Sequence, residues 1–191
     1  MTVGQELAQK TGFKLFSNHL LVDALQSVFD SESTAYRMLV REFRRRVFEE
    51  AIQAKLPGVI FTCTTAFNRE TCVERLFEWI NLWKHSGAIV HVVELQATLE
   101  ERLKRNTTEN RLYHKQSTRN LEQSQQTLLK NNAEWVMEAP PGLFDQFPYI
   151  KLDTTTVSCE KATDLIVAQL IRQPCEAFEL ATIKAPHEPY Q

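Results

Sequence analysis

The chain has 191 residues, 43% hydrophobic and 24% charged, with 22 basic against 24 acidic side chains and a net charge of −2. That balance gives a globular domain able to bury a core and excludes disorder over most of the length. It also argues against a general nucleic-acid coat, which is usually far more basic. No stretch approaches the ~18 apolar residues of a membrane helix. Met1-Thr2-Val3-Gly4-Gln5-Glu6 lacks the basic-then-apolar order of a signal peptide, so a cytoplasmic protein is expected. Cys63, Cys72, Cys159 and Cys175 form no C-x-x-C pair, which favours reduced thiols over a zinc or redox site.

In chain order, Thr2 to Lys10 reads as a helix stopped by Gly12, and Phe13 to Phe16 as a strand. Leu20 to Phe29 is a helix. From Thr34 to Ala54 the spacing of Leu39, Val40, Phe43, Val47, Phe48 and Ile52 is helical, with Arg41, Arg44, Arg45, Glu49 and Glu50 opposite. After the Pro57-Gly58 turn, Val59 to Cys63 is a compact apolar strand of the buried parallel kind. Asn68 is placed to cap a helix whose Val73, Leu76, Phe77, Ile80 and Trp83 share a face. Ala88 to Leu95 is a further strand, and Thr98 with Glu101 makes a capping box for a helix through Arg105. Residues 106–134 are polar and weakly helical. Tyr149 to Asp153 is a last strand, and Ser158 caps a helix with Ala162, Leu165, Ile166 and Leu170 inward. Beyond Pro174 the periodicity fades, so 173–191 reads as a loose tail.

Helices alternating with short apolar strands predict a parallel α/β sandwich. Ligands of such sheets sit at the carboxyl ends of the strands. Those ends carry Asn18 and His19, Thr64 and Thr65, Gln96 and Thr98, and Asp153 to Thr156.

The order of parts resembles the nucleotide kinase-like branch of the P-loop NTPases, close to shikimate kinases and small AAA-type ATPases. Four stretches carry the resemblance. Met1 to Phe13 looks like the helix after a Walker A loop. Glu42-Phe43-Arg44-Arg45-Arg46 leading into Glu49 is similar to the "FRxxE" stretch of shikimate kinases. Leu99 to Arg105, then Arg111, looks like the arginine-bearing lid. Leu152-Asp153-Thr154-Thr155 is similar to the loop near the adenine. The resemblance implies a P-loop kinase-like domain over 1–172 with a lid at about 106–134. Its fold would be a three-layer parallel sheet with helices on both faces. It implies binding of ATP and Mg²⁺ and phosphoryl transfer to a small molecule, with no membrane partner and nucleic acid unlikely.

The resemblance also defines what is lacking. The loop G-x-x-x-x-G-K-[ST], whose backbone N–H groups and Lys cradle the phosphates, is absent, and so is the strand before it. That first strand is central in this fold, so its loss predicts a gap with unpaired backbone on both sides. The expectation is a true start upstream of Met1, in preference to a shortened relative that binds ATP poorly. Thr2 would then correspond to the hydroxyl that holds Mg²⁺.

Three constellations have both a functional and a plain reading. In the lid, Arg102, Lys104, Arg105, Arg111, Lys115 and Arg119 suit neutralisation of a moving phosphoryl group. The resemblance puts Arg102 or Arg105 beside adenine and Arg111 on the phosphates, with Asp153 and Thr154 in the adenine loop. The plain reading is a solvated face paired with Glu100, Glu101 and Glu109. Asn18, His19 and Asp23 suit substrate binding, with His19 as base and Asp23 holding a hydroxyl or Mg²⁺, or else form a helix cap. Of the Arg41–Arg46 cluster, Arg44 matches the shikimate kinase position and, with Arg41, would grip an anionic substrate. Otherwise the cluster is a solvated face paired with Glu49 and Glu50.

Overall fold

In a computed structural model, residues 2–114 and 120–172 are described. The expected tail at 173–191, and Lys115 and Arg119 of the expected lid, lie outside them. The elements are α1 (Thr2–Thr11), β1 (Lys14–Ser17), α2 (Asn18–Gln26), α3 (Thr34–Gln53), β2 (Val59–Thr62) and α4 (Glu70–His85). They continue as β3 (Val92–Gln96), α5 (Leu99–Arg105), α6 (Glu109–His114), α7 (Leu121–Glu134), β4 (Tyr149–Asp153) and α8 (Cys159–Arg172). The chain is therefore mixed α/β, with short parallel strands. None of its described helices is long and apolar enough to cross a membrane.

The strands form two separate two-stranded sheets. β1 pairs in parallel with β2, setting Leu15 beside Ile60 and Phe16 beside Phe61. β3 pairs in parallel with β4, from Val92 beside Tyr149 to Gln96 beside Asp153. Among the described residues no ladder joins β2 to β3.

Strand alternation sends neighbouring residues to opposite faces. Leu15, Ile60 and Thr62 face α1, which approaches closely because Gly4 has no side chain. A Cβ there would lie 3.1 Å from Leu15 Cδ1 and 3.3 Å from Thr62 Cγ2. Phe16 and Phe61 face the other way and meet Phe48 of α3 edge-on, with centroids 5.8 and 5.1 Å apart. Trp79 of α4 meets the same Phe61 at 5.2 Å. One residue further along α4, Ile80 joins Ala139, Phe144 and Phe147 in the core that carries Val92 and Tyr149 of the second sheet. Helix α8 touches β4 and packs beside α1, where Lys10 pairs with Asp164.

Four expectations are corrected. On α3 the buried stripe is Val40, Arg44, Phe48 and Ala51. Arg44, read from the sequence as outward, is 7% exposed, whereas Phe43, read as inward, is 52% exposed. The two are neighbours about 100° apart around the helix, and Trp79 takes the guanidinium rather than the phenyl ring. Val47 and Leu165 also face outward. Asn68 does not cap α4: its amide donates to Glu134 O and its Oδ1 accepts from Val136 N, so Arg69 stands at the cap without a side-chain bond. β3 begins at Val92 rather than Ala88. By contrast, the Thr98 and Ser158 hydroxyls accept from Glu101 N and Lys161 N, as the capping patterns predict.

The closeness of α1 to its strands gives a test. Gly4→Val drives two methyl groups into Leu15 and Thr62, and overpacking of this kind costs about 1–3 kcal/mol. The urea midpoint falls at unchanged slope; an unchanged midpoint would mean that α1 is not seated on β1 and β2.

Candidate functional site

The carboxyl ends of the four strands gather most of the residues singled out from the sequence. Helix α1 runs back along β1, so its first turn lies beside Thr62, the last residue of β2. There Asn110 of α6 donates to Thr2 Oγ1 at 3.2 Å and to Gln5 Oε1 at 3.0 Å. Gln5 Nε2 also lies 2.8 Å from His114 Nε2. Thus α6, inside the segment expected to be a lid, is clasped to the first turn of α1.

Arg105 and Arg111 have different surroundings. The Arg105 guanidinium donates to Glu101 at 2.8 Å, to Thr154 Oγ1 at 2.9 Å and to Thr154 O. Thr154 N and its hydroxyl both donate to Gln96 O at 2.8 Å. Arg105 is therefore a latch that ties α5 to the ends of β3 and β4. Arg102 donates to Asn132 Oδ1 and lies near Met137, bridging α5 to α7 and the loop beyond. Arg111 donates to Asn106 O at 3.2 Å and Ser124 Oγ at 3.1 Å, and Ser124 in turn donates to Asn106 Oδ1 at 3.0 Å. No carboxylate pairs with Arg111 among the described residues, and burial pushes its guanidinium below the usual range. Of the three glutamates expected to pair with this segment, Glu101 takes both Arg105 and Lys104.

Asp153 closes a turn: its Oδ1 accepts from Thr155 N at 2.8 Å and from the Thr155 hydroxyl at 2.6 Å. Thr155 Oγ1 then accepts from Thr98 N at 3.0 Å, joining the turn to the cap of α5.

The third group lies beyond the ends of β1 and β2. Phe48 packs on Phe16 and Phe61, next to last in these strands, and Arg44 stands one turn earlier on α3, within reach of Cys63 just beyond β2. Its guanidinium carbon is 5.5 Å from the centroid of the Trp79 ring. Among the described residues it has no carboxylate partner, and its Nε finds no hydrogen-bond acceptor. Ser17 Oγ and Asn18 Oδ1 are likewise buried without partners. Burial is the largest influence on Arg44, with Arg75 next; together they push it down to about 10. His19 and Asp23 stand on α2 above the same strand end, and the charge of Asp23 reaches Tyr36 of α3. Arg41 lies outside the group, exposed and paired with Glu78 at 2.8 Å. Arg45 and Arg46 pair with Glu49 and Glu50, so for these three the solvated-face reading describes the geometry.

Sequence reasoning missed Gln5, Asn110, His114, Asn106, Ser124, Arg75 and Trp79. Gln5, Asn110, His114, Asn106 and Ser124 have partners in other elements and Arg75 has none among the described residues, so no local spacing marks them. Trp79 shares the α4 face with Trp83 and was legible as aromatic, though not as the partner of an arginine.

In α6 it is Asn110, not Arg111, that bonds Thr2, and the glycine loop and its lysine are not in these 191 residues. Thr62 to Thr65 carries no carboxylate for a metal. Among the described residues no three His, Cys, Asp or Glu side chains converge. A separate cleft of about 530 Å³ lies against Phe67, Phe144 and Tyr149, and none of the expected site residues lines it.

Two outcomes follow from the charges. Arg44→Met removes a buried cation that lacks a carboxylate, so it raises the melting temperature of the unliganded protein by several degrees, about 1–2 kcal/mol. A lower melting temperature would mean that stacking on Trp79 outweighs desolvation. At Asp153 the Thr155 hydroxyl, then the Thr155 N–H, hold the carboxyl below its usual 3.8. The turn's contribution is therefore complete above pH 3.8 and lost as pH falls through the lower folded value. The wild type should lose more stability than Asp153→Asn between pH 5 and pH 3 in urea titrations; equal losses would show that Asp153 does not close the turn in solution.

No family model matches the chain, and no curated protein matches it.

Proposed function

We propose that this protein transfers the γ-phosphoryl group of ATP, as its Mg²⁺ complex, to a small acceptor. The domain would be of the three-layer P-loop kinase type, whose phosphate loop is not among these 191 residues. The observation that carries this reading is two arginines, Arg44 buried and Arg111 half-buried, that have no carboxylate partner among the described residues. Arg111 lies on the α1–α6 side, and Arg44 above β1 and β2. Two guanidiniums without acids in separate surroundings fit an anionic donor on one and an anionic acceptor on the other. The absence of a ladder between β2 and β3 fits the place of the strand that the resemblance implies.

The roles fall to residues as follows. Arg111, positioned by Asn106 and Ser124, would stabilise charge on the moving phosphoryl group. Arg102 and Arg105, with Asp153 and Thr154, would shape the nucleotide edge through the α5 latch. Thr2 would stand where the metal hydroxyl is expected. Asn18 and Arg44 would orient the acceptor, with His19 or Asp23 taking its hydroxyl proton. Arg41, held at the surface by Glu78, supports no such role.

A non-catalytic interaction module is the second reading, favoured by the exposed Met38, Phe43 and Val47 along α3. Intact mass from the native source separates the two. A mass above 22.1 kDa, with a G-x-x-x-x-G-K peptide ahead of Met1, supports the kinase; 22.1 kDa supports the module. In the longer protein, Arg111→Ala should lower the rate of ADP release from ATP·Mg²⁺ about 100-fold or more, with ATP binding changed far less. Unchanged turnover would remove Arg111 from the mechanism.

A further inference from the structure

Arg44 is an anomaly that α3 alone does not explain. Arginines are almost never fully buried unless paired, yet this one is 7% exposed, with Nε unbonded and no carboxylate beside it among the described residues. The stack on Trp79 fixes its place. One turn before Trp79 on the same helix stands Arg75, and α4 begins on the side of the sheet where β2 ends. Residues four apart on a helix share a face, so Arg75 projects toward the same space as Trp79 and the Arg44 guanidinium. It makes no ion pair or hydrogen bond among the described residues, although Glu70, Glu74 and Glu78 share its helix. Two cations thus adjoin one another with no acid between them, and the repulsion adds to the burial that lowers Arg44. The neighbouring Ser17 hydroxyl and Asn18 amide oxygen also lack partners.

One negative charge would leave the second guanidinium unmatched. A compact dianion meets both, and a tetrahedral phosphate offers three oxygens to donors arriving from two helices and a strand end. We propose that Arg44 and Arg75 together bind the dianionic group of a small phosphate monoester, with Arg75 selecting it over monoanions. A hydroxyl elsewhere on that molecule would donate to Asn18 Oδ1. The role of this monoester as acceptor rests on the phosphoryl-transfer reading, whereas the anion site does not.

The experiment is a thermal-shift and calorimetric titration of the full chain at pH 8 and constant ionic strength. The probes are glycerol 3-phosphate, inorganic phosphate and acetate. Glycerol 3-phosphate and phosphate should bind and raise the melting temperature, while acetate should not. Arg75→Gln, at an exposed helical position where folding is retained, should weaken both phosphates about tenfold. Arg75→Lys should recover part of the loss. The resonance of the Arg44 Nε–H should move on titration in the wild type.

Equal binding by acetate, or phosphate affinity unchanged in Arg75→Gln, overturns the proposal. So does binding of inorganic phosphate without glycerol 3-phosphate, which would mark a site for the free ion. Failure of ATP turnover with this binding intact would remove phosphoryl transfer alone. Intact turnover without dependence on Arg75 would remove the anion site alone.

Discussion

Helix α4 carries the connection between two sheets that share no backbone ladder. Trp79 lies against Phe61 of the first sheet, while Ile80 sits in the core of the second. Adjacent residues on a helix point about 100° apart, so one helix lying across the divide can serve both. A second tie is polar: Asn68 bonds the backbone at Glu134 and Val136, and Phe67 N donates to Val136 O at 2.7 Å. On the opposite face α1 and α8 pack together. The sheets are held by what covers them rather than by hydrogen bonds between them.

This arrangement leaves the strand ends free to be polar. Backbone groups there do not all belong to ladders, so side chains from other elements take them up. Thr154 and Arg105 satisfy the end of β3, and Asp153 caps its own turn. Against that background of satisfied groups, Arg44 and Arg111 stand out. A cation buried without an acid costs desolvation that Coulomb attraction does not return. Cation–π contact with Trp79 offsets part of that cost for Arg44. Both would recover more from an anionic ligand, which is why they weigh more here than the many paired arginines of the surface.

The sequence was most legible where apolar spacing and burial agree. The strands, the long α3 and the capping hydroxyls of Thr98 and Ser158 follow from period and turn chemistry. It was least legible where a polar side chain does the work of a core residue. Arg44 breaks the apolar period of α3 and so looked like surface, yet Val40 and Phe48, each four residues away, share its stripe. Asn68 has the chemistry of a cap, but a partner 66 residues on claims it. The polar run at 106–134 hid two helices whose anchors, Asn106 and Ser124, are meaningful only once they meet. The way α4 spans the two sheets was not legible in the sequence.

The parallel ladders also govern how this chain must assemble. Parallel neighbours cannot be joined by a tight hairpin, and here Lys14 waits for Val59 and Val92 waits for Tyr149. At ~5–20 residues per second, β1 leaves the ribosome seconds before its partner exists. During that interval Phe16 of β1 has only α1, α2 and α3 for cover. Low sequence locality of this kind slows folding and lengthens the time in which strand edges can find other chains. The architecture that concentrates polar groups at one edge of the strands therefore also leaves the edges of β1 and β3 open until β2 and β4 have been made.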